Sequence, residues 1–386
     1  MYLFDLKENS CCGCSACVDV CPKKAVFMQS NSQGFLYPVI DKEKCVDCHL
    51  CEKVCRFTNE STINNVNNTV CYGLKCKDDT VRKNSRSGGA FYVIAEHFLR
   101  NENAKVWGAA FDRELHVRHI CITSHDNLNM LQGSKYVQSA IDNVFYQIGE
   151  QLKAGDSVLF SGTACQIDGL YGFLDTTRID YSKLLTCDII CQGVPSPRIF
   201  QDYINALENK YNGVIESFNF RDKQRLGWSG HEESFVVKGK KHYSSKYKTY
   251  YYKYYMRSSC FECPYTSLNR PADITLGDFW GVFDKYPQFG DKKGVSLVIG
   301  NTDKGNKIIS TLGDSAELIS VDKENCLQPR LRKPSDKPAD YDSFWRDFER
   351  YGGKYCLDTY GKQPIKDKII LQIIIIAKRL LKKLDK

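Results

Sequence analysis

The sequence of 386 residues lacks several features that would assign it to a common class of protein. Its first residues, Met1 to Glu8, contain neither the basic segment nor the long apolar stretch of a secretory signal. We therefore expect a cytoplasmic chain whose 19 cysteines are reduced and free to bind metal. No G-x-G-x-x-G fingerprint opens a strand–helix unit, which argues against a nicotinamide dinucleotide domain.

An excess of positive charge in the body of the chain is also missing. The formal net charge is +8, but residues 365–386 hold seven Lys or Arg against two Asp and so account for +5. The rest of the chain becomes near neutral if cysteines bind metal, because such thiols are deprotonated. No nucleic-acid partner is predicted.

The sequence does contain a run of cysteines that occurs twice. Each run has the spacing C-x2-C-x2-C-x3-C, and every cysteine of the first run recurs 34 residues later. This spacing is typical of ferredoxins with two [4Fe–4S] clusters, in which the fourth cysteine of each run binds the other cluster. The predicted ligands are Cys11, Cys14, Cys17 and Cys55 for the first cluster, and Cys45, Cys48, Cys51 and Cys21 for the second.

Zinc sites and disulfide bonds explain this repeat less well. Structural zinc usually takes two separated pairs of ligands, and disulfide frameworks suit short secreted chains. Two details break the regularity: Arg56 follows Cys55 where Pro22 follows Cys21, and Cys12 is an additional thiol. The missing proline removes a turn constraint and no ligand, and we expect Cys12 to be a neighbour of the cluster and not a ligand.

Four cysteines further along the chain form a third candidate site. Cys165 follows an apolar strand, Cys191 follows another, and Cys260 and Cys263 form a C-x-x-C pair. Ligands gather at strand ends in α/β folds, so these four thiols are predicted to bind metal together, with Cys187 as a reserve ligand. The alternative is that the cysteines near the two strands are small buried core residues, and the spacing fits both interpretations equally.

The N-terminal domain is predicted to span residues 1–60 and to have a two-cluster ferredoxin-type fold. Short apolar runs at Ala25–Gln29 and Phe35–Ile40 surround a polar turn and predict a hairpin between the cysteine runs. Residues 57–69 are rich in Asn and Thr and are predicted to be a linker.

From Val70 onward, short strands alternate with helices, which predicts an α/β domain with a mixed sheet over residues 70–345. The predicted strands are Val70–Lys75, Val106–Phe111, Val117–Thr123, Ser157–Phe160, Leu184–Ile190, Ile215–Phe220, Ser234–Lys238, Ile274–Gly277 and Val295–Ile299, and the helices are Ala90–Arg100, Ile141–Lys153 and Ile199–Lys210. Residues 211–257 are predicted to leave the sheet as an antiparallel excursion. Its Tyr- and Lys-rich run, Lys246–Arg257, favours a half-exposed strand over a stacking surface. The segment that leads to Tyr360 is predicted to be more irregular.

The tail, residues 361–386, is predicted to form a basic amphipathic helix. Its apolar runs are too short to span a bilayer. Its Ile and Leu face, with Lys and Arg at both ends, fits a peripheral helix on the inner face of the membrane. It fits equally a helix that docks on the protein or on a partner subunit.

The segment Asn84-Ser-Arg-Ser-Gly-Gly-Ala90 opens a predicted helix. A polar cap and paired glycines leave helix N-terminal amides free, which suits a phosphate group. Ordinary helix caps have the same sequence pattern, so the segment alone is a weak indication.

In their order along the chain, these motifs resemble the coenzyme F420 hydrogenase/dehydrogenase beta-subunit family, in the form with an N-terminal two-cluster ferredoxin domain. The resemblance covers roughly residues 10–300. The motifs that carry it are Ser87-Gly-Gly89, Gly133-Ser-Lys-Tyr-Val-Gln-Ser139, Ser161-Gly-Thr-Ala-Cys-Gln166, Asp188-Ile-Ile-Cys-Gln-Gly-Val-Pro-Ser-Pro197, Cys260-Phe-Glu-Cys263 and Ala272-Asp-Ile-Thr-Leu-Gly-Asp-Phe-Trp-Gly281.

The resemblance implies a flavin, FAD or FMN, and a third [4Fe–4S] cluster, both in the α/β domain. Its implied flavin site contains Ser87, Gly88 and Gly89 at the phosphates, Lys135 and Tyr136 as candidate catalytic residues, and Gly162, Thr163, Gly277 and Asp278 around them. Two positions depart from the commoner pattern: Ala164 stands where proline is frequent, and Gln192 stands where histidine often follows Cys191. The second departure is expected to change proton delivery and not cluster binding.

The resulting prediction is an iron–sulfur flavoprotein oxidoreductase. A one-electron carrier, ferredoxin or another electron-transfer protein, would exchange electrons at the clusters, and a small-molecule two-electron substrate would react at the flavin. An F420-like coenzyme and an intermediate of surface-polysaccharide synthesis are the candidate substrates. The alternatives are an electron-carrier subunit of a larger complex without substrate chemistry of its own, and a zinc-stabilised binding module.

One further polar and aromatic stretch contains Arg221, Lys223, Trp228 and His231. It could contact a substrate, but a solvated loop is the favoured interpretation.

Overall fold

The computed structural model describes residues 2–58, 69–362 and 364–384. Its strands are β1 Val26–Ser30, β2 Leu36–Ile40, β3 Val70–Cys76, β4 Ala104–Phe111, β5 Val117–Ile122, β6 Ser157–Thr163, β7 Leu184–Ile189, β8 Ile215–Asn219, β9 Glu233–Val237, β10 Lys240–Ser244, β11 Ile274–Asp278, β12 Ser296–Gly300 and β13 Ala316–Val321. Its helices are α1 Tyr2–Asp5, α2 Ala16–Asp19, α3 Leu50–Lys53, α4 Asp79–Asn84, α5 Ala90–Phe98, α6 Leu128–Leu131, α7 Val144–Lys153, α8 Ala164–Thr177, α9 Pro197–Tyr211, α10 Val282–Lys285, α11 Asp303–Ser310, α12 Lys323–Cys326, α13 Tyr341–Tyr360 and α14 Ile365–Leu384.

Eight strands form one mixed sheet in the order β13–β3–β12–β11–β7–β6–β4–β5. Strands β4, β6, β7 and β11 run parallel, whereas β12 pairs antiparallel with both β11 and β3. Strands β3, β4, β6, β7 and β11 therefore end at the same edge, which we call the carboxyl edge. The predicted mixed-sheet α/β architecture is confirmed, and loops at this edge are where ligands of such sheets bind.

Alternating side chains on the sheet build two separate cores. Leu159 of β6 faces the core that contains Val93 of α5. Val158 and Phe160 face the opposite core, which contains Ile167 of α8. Strands that are buried on both faces by helices consist of nearly continuous apolar residues, as the sequence around β6 does.

The cysteine repeat of the N-terminal domain is also a repeat of backbone conformation. Gly13 and Asp47 have φ of 72° and 49°, and Ser15 and His49 have φ of 63° and 57°. Both pairs are 34 positions apart, like the cysteines. Non-glycine residues rarely adopt positive φ, so matching left-handed positions show that the two cysteine loops have the same fold.

The cysteine loops lie against helix α8 of the large sheet. A Cβ atom on Gly169 would lie 2.8 Å from Cys14 Sγ, and one on Gly172 would overlap the carbonyl oxygen of Val54. Arg56, at the position where the other loop has a proline, lies 3.3 Å from Asp168 Oδ1 and also pairs with Asp175. The departure at Arg56 therefore joins the N-terminal domain to α8.

Substituting Gly172 by alanine tests this close packing. We expect the Gly172→Ala protein to lose about 1–3 kcal/mol of stability, because the added methyl group must displace the Val54 backbone. The measurement is the apparent melting temperature of anaerobically purified protein, together with its retention of iron. Gly313→Ala is the matched control, since a Cβ there meets nothing within 4 Å; equal shifts in the two proteins would contradict the packing.

The antiparallel excursion is present as the three-stranded sheet β10–β9–β8. The half-exposed strand predicted over Lys246–Arg257 is wrong, because this segment forms a π-helical turn, Lys246–Tyr251, followed by a 3-10 turn. Tyr247, Tyr252 and Tyr255 of this run are buried in an aromatic core with α9 and α13. Burial of these rings outweighs the strand preference of alternating Tyr and Lys.

Two elements beyond β12 were not predicted, since this region was expected to be irregular. Strand β13 pairs antiparallel with β3 at one end of the sheet. Helix α13 packs Phe344, Trp345 and Phe348 into the aromatic core, with a break at Gly352. Most of the predicted linker, residues 59–68, and residues 363, 385 and 386 of the predicted tail lie outside the described residues.

The tail forms the 20-residue helix α14, as predicted. Ile369, Ile373 and Ile376 are exposed, whereas Ile375 is buried. Across residues 2–58, 69–362 and 364–384, no helix has both the length and the apolar character needed to cross a membrane.

Candidate functional site

The predicted ligands of the first cluster come from the N-terminal cysteine loop and the end of the second run: Cys11, Cys14, Cys17 and Cys55. Burial raises the pKa of Cys17 well above its ordinary value, and the neighbouring thiols of the other three add to the shift. The Gly13 amide donates a hydrogen bond to Cys11 Sγ (3.4 Å), and Thr58 Oγ1 donates to Cys55 Sγ (3.4 Å). Donors directed at cysteine sulfurs are typical of iron–sulfur ligation.

The predicted ligands of the second cluster line one cavity: Cys21, Cys45, Cys48 and Cys51. Apolar side chains, among them Val26 and Ile40, line the rest of it. The Ala25 amide donates to Cys21 Sγ (3.3 Å). Cys48 is exposed whereas Cys17 of the first site is buried, so the second site is the one open to solvent.

The four thiols of the third candidate site, Cys165, Cys191, Cys260 and Cys263, meet at the carboxyl edge. Cys165 begins α8 directly after β6, Cys191 follows β7, and the C-x-x-C pair lies on and after a 3-10 turn. Burial raises the pKa of Cys191 to about 11 and that of Cys263 to about 12, and Cys165 adds to both shifts. Burial likewise raises the pKa of Cys260, with Cys191 as the largest neighbouring contribution.

Backbone amides also point at the third group of thiols. Gly193 N–H donates to Cys191 Sγ (3.3 Å), and Val194 N–H donates to Cys260 Sγ (3.4 Å). The fold thus assembles the four thiols that spacing alone left undecided. Their role as metal ligands stays a prediction. Cys187, the reserve ligand, is fully buried in the sheet core, where burial and then Asp273 raise its pKa.

The spacing of the thiols bears on the type of metal. Among the described residues, which include all the cysteines, no three thiols lie within 4.8 Å of one another. A single zinc ion with bonds of about 2.3 Å would hold its sulfur ligands roughly 3.8 Å apart. The wider spacing fits the larger [4Fe–4S] cube better than a single ion.

Cys12 connects the first and third sites. Its buried thiol is hydrogen-bonded to the thiols of both Cys14 and Cys165. The hydrogen bond from Cys12 lowers the pKa of Cys165 to about 7. One residue therefore separates the two groups of predicted ligands.

A buried ion pair holds the strand end that precedes Cys191. Arg270 Nη2 lies 3.0 Å from Asp188 Oδ2, and both side chains are inaccessible to solvent. Arg270 also donates to the Ile189 carbonyl (2.9 Å). Breaking a buried pair of this kind strongly destabilises a protein, so the position of this loop is well determined.

A cluster of positive side chains begins next to the third site, and we call it the cationic pocket: Arg86, Arg221, Lys223 and Lys248. Burial lowers the pKa of Lys248 to about 7, and Arg221 and Arg86 lower it further. Burial lowers the pKa of Lys223 to about 8, with Arg86 and then Arg82 contributing. Gln192, which follows Cys191, accepts a hydrogen bond from Lys248 Nζ (3.2 Å) and so joins the pocket to the third site.

The positive charge of the cationic pocket is incompletely neutralised. Asp278 at the end of β11 lies 2.9 Å from Arg86 and accepts a hydrogen bond from Trp228 Nε1 (2.9 Å). The ion pairs of the described residues include none for Arg221 or Lys248. Nε of Arg86 and Nε of Arg221 are buried without a hydrogen-bond partner. Buried unpaired cations of this kind favour an anionic ligand.

The predicted phosphate site at Ser87–Gly89 uses its amides internally. Gly88 N–H donates to Ser296 Oγ (2.9 Å), and Ala90 N–H contacts the same oxygen (3.4 Å). Ser87 Oγ donates to the Val295 carbonyl (2.6 Å). These contacts fix the start of α5 at the carboxyl edge and leave the adjacent Arg86 to face the cationic pocket.

The two candidate catalytic residues have different surroundings. Tyr136 belongs to the cationic pocket, since Lys248 Nζ lies 4.8 Å from its ring centroid and the Tyr252 ring meets it edge-on. Lys135 donates to the carbonyls of Met130 (3.1 Å) and Gln132 (2.8 Å), and burial lowers its pKa to about 7.

The remaining predicted flavin residues lie at the ends of β6 and β11. Thr163 Oγ1 is 3.1 Å from Cys165 Sγ, and a Cβ on Gly162 would lie 2.9 Å from Gln166 Oε1. A Cβ on Gly277 would lie 2.6 Å from Ile190 Cδ1, so glycine is needed for this close approach. These residues shape the third site and its border with the cationic pocket.

The solvated loop predicted around Arg221 and Trp228 is wrong, because both side chains are buried. Trp228 stacks on Trp280 with ring centroids 5.0 Å apart, and Arg221 Nη1 lies 2.6 Å from His231 Nδ1. Sequence analysis also missed Arg86 and Lys248 as site residues. The signal available for Arg86 was its position directly before the Ser-Gly-Gly motif.

Residues 10–59 match the family described as 4Fe-4S dicluster domain. Residues 155–325 match the family described as the C terminus of the coenzyme F420 hydrogenase/dehydrogenase beta chain. The chain carries both domains. The resemblance predicted from the sequence is thus confirmed, and the N-terminal cysteine repeat is a 4Fe-4S dicluster domain.

Similarity to individual proteins is more limited. One subunit of the H2:CoB-CoM heterodisulfide,ferredoxin reductase is 33% identical over 63 residues in Methanothermobacter thermautotrophicus and 35% identical over 63 residues in Methanothermobacter marburgensis. Both matches cover 13% of this chain and 10% of the relative, so the chain spans a tenth of the curated proteins it matches. A chain of the F420-reducing [NiFe] hydrogenase complex from Methanosarcina barkeri matches with a TM-score of 0.46 and 15% identity, over 75% of this chain and 89% of that one.

Proposed function

We propose that the chain is an iron–sulfur flavoprotein oxidoreductase that passes electrons between a one-electron carrier and a two-electron organic substrate. The observation that carries the proposal is the order of the sites. The solvent-exposed second site adjoins the first through Cys51 and Cys17. Cys12 joins the first to the third, and Gln192 joins the third to the cationic pocket. Such an order suits a relay with a one-electron end and an organic end.

The cationic pocket suits a phosphate-bearing flavin. Arg86, Arg221 and Lys248 would hold the phosphate groups, since buried arginines with unpartnered nitrogens bind phosphate through charge-assisted hydrogen bonds. Tyr136 and the stacked pair Trp228 and Trp280 supply flat apolar surfaces beside these charges. When bound, a flavin exchanges electrons singly with clusters and in pairs with an organic substrate.

The organic substrate is proposed to be anionic as well. An F420-like coenzyme and an activated intermediate of surface-polysaccharide synthesis both carry phosphate, and the surplus of positive charge in the pocket supports either class. The physiological one-electron carrier is proposed to contact the exposed Cys48 side of the second site.

Single-turnover reduction under anaerobic conditions tests the proposed function. Protein reconstituted with iron, sulfide and FAD is mixed with a reduced one-electron carrier while cluster and flavin absorbance are followed. We expect the clusters to be reduced first and the flavin afterwards, within one chain. Clusters that become reduced in a protein that binds no flavin would contradict the proposal and favour an electron-carrier subunit.

The affinity for flavin is expected to depend on pH through Lys248. Its pKa is about 7 before an anion binds, and a bound anion raises that pKa. Below pH 7 the side chain is already charged, whereas above pH 7 a proton must be taken up on binding. The flavin dissociation constant should therefore rise with pH above about 7, by up to about tenfold per unit. Fluorescence titrations from pH 6 to pH 9 measure this dependence.

Lys248→Arg is the matched control for this pH dependence. Arginine stays protonated over the whole range, so its flavin affinity should change much less above pH 7. An identical pH profile in both proteins would show that Lys248 does not titrate on binding.

A further inference from the structure

Arg257 is a fully buried arginine that lies between the first and third sites. Its Nε donates to the Cys11 carbonyl (2.8 Å), and its Nη1 donates to the Leu36 carbonyl (3.1 Å) and to Gln138 Oε1 (3.2 Å). The guanidinium lies 4.0 Å from the ring centroid of Tyr37. The side chain is therefore held by the loop and the hairpin of the N-terminal domain.

The backbone of Arg257 belongs to the third site. Its N–H donates to the Val194 carbonyl (2.9 Å), and its carbonyl accepts from the Cys260 amide (3.0 Å). Val194 in turn donates to the Cys260 sulfur. One residue thus places its main chain against the third group of thiols and its charge against the first.

The charge of Arg257 has no carboxylate partner among the described residues. Its hydrogen-bond acceptors are carbonyl oxygens and one amide oxygen, and Nη2 is buried with no partner. Burial works to lower the pKa of Arg257, but the negative charges of Cys11, Tyr37, Cys12 and Cys260 together raise it. Three of these four groups are thiols at the two predicted cluster sites.

Arg270 shows what a neutralised arginine looks like in the same region. It is equally buried, but Asp188 lies 3.0 Å away and cancels its charge. A buried charge without a partner is costly, so an isolated guanidinium needs a negative group that the polypeptide does not supply. Iron–sulfur clusters with four thiolates are negatively charged and would provide it on both sides of Arg257.

We propose that Arg257 sets the reduction potentials of the first and third clusters together. Reduction adds negative charge to a cluster, and a fixed positive charge nearby in a medium of low dielectric constant stabilises the reduced form. Arg257 therefore raises the reduction potentials of both clusters relative to the second, which lies further away. It is a positioning residue that acts on the clusters through charge and through the two loops, and its action on the third cluster rests on the proposed function.

Redox titration of the holoprotein, followed by electron paramagnetic resonance, tests this role. The signal of each cluster is first assigned with single-ligand variants of each site. In Arg257→Met we expect the potentials of the first and third clusters to shift to more negative values and that of the second to stay unchanged. Arg257→Lys keeps the charge and should restore most of the shift. Gln138→Leu removes a hydrogen bond to Nη1 but no charge, and should shift the potentials less than Arg257→Met.

Unchanged potentials in Arg257→Met, or equal shifts at all three clusters, would overturn the inference. If Arg257→Met does not fold, iron content is compared between Arg257→Gln and Arg257→Lys: retention only in the lysine protein supports a role for charge, and equal loss in both overturns it. These outcomes are distinct from failure of the proposed function. A wild-type protein without flavin or without a third cluster would contradict that function, whereas the first cluster alone would still show or lack the shift.

Discussion

Replacing Cys191 by alanine is expected to remove the third cluster and to stop electron flow from the clusters to the flavin. Cys191 contributes one of four thiols at the carboxyl edge, and its neighbour Gln192 contacts Lys248 of the cationic pocket. We expect Cys191→Ala to contain about four iron atoms fewer per chain than the wild type, since a cube is not held stably by three thiolates. Flavin reduction by a one-electron carrier should be abolished, while the clusters of the N-terminal domain are still reduced.

Cys187→Ala is the matched control, because Cys187 is buried in the sheet core and its neighbours are apolar residues and Asp273. Its loss should cost about 1 kcal/mol of stability for the small cavity and no iron. Iron analysis and stopped-flow absorbance measure both effects. If both proteins kept the full iron content, the assignment of the third site would be wrong.

Replacing Arg86 by leucine is expected to abolish tight flavin binding. Arg86 pairs with Asp278, lies 5.5 Å from the Trp280 ring centroid, and has a buried Nε without a partner. Loss of a charge-assisted hydrogen bond to a phosphate costs about 2 kcal/mol, which corresponds to a roughly thirtyfold weaker affinity. Flavin released from the purified protein and the dissociation constant for added FAD measure the effect.

Arg86→Leu also leaves Asp278 unpaired, so a second protein must separate binding from folding. The double variant Arg86→Leu/Asp278→Asn removes the unpaired charge and should regain stability but not flavin affinity. Arg86→Lys should bind flavin with intermediate affinity, because lysine keeps the charge but not the fork of donors. Undiminished flavin binding in the double variant would show that the pocket binds something else.

The N-terminal domain was predicted well because its information is local. The cysteine spacing defines two loops, and the left-handed residues Ser15 and His49 follow the same period of 34. The order of strands β4, β6 and β7 was likewise visible in their apolar runs. In these parts, the residues that determine the structure are close in sequence.

The cationic pocket was not predicted because its residues come from separate parts of the chain. Arg86 precedes α5, Arg221 follows β8, and Lys248 lies in the turn after β10, so only the fold brings them together. Arg221 seemed to belong to a polar loop, yet burial against Trp228 and His231 is decided by tertiary packing.

The Tyr- and Lys-rich run was interpreted wrongly for a similar reason. Alternation of Tyr and Lys matches a strand, but Tyr247 and Tyr255 pack against each other at 4.9 Å in a helical turn. Their environment depends on α9 and α13, which lie far away in the sequence. Period-2 patterns in short segments are therefore weak predictors when the aromatic side chains are needed by a distant core.

Iron and flavin content of the anaerobically purified protein tests the central claim most directly. Three cluster sites and one cationic pocket predict about twelve iron atoms and one flavin per chain. About eight iron atoms without flavin would contradict the proposed relay, because the N-terminal domain would then hold all the iron and the cationic pocket no flavin.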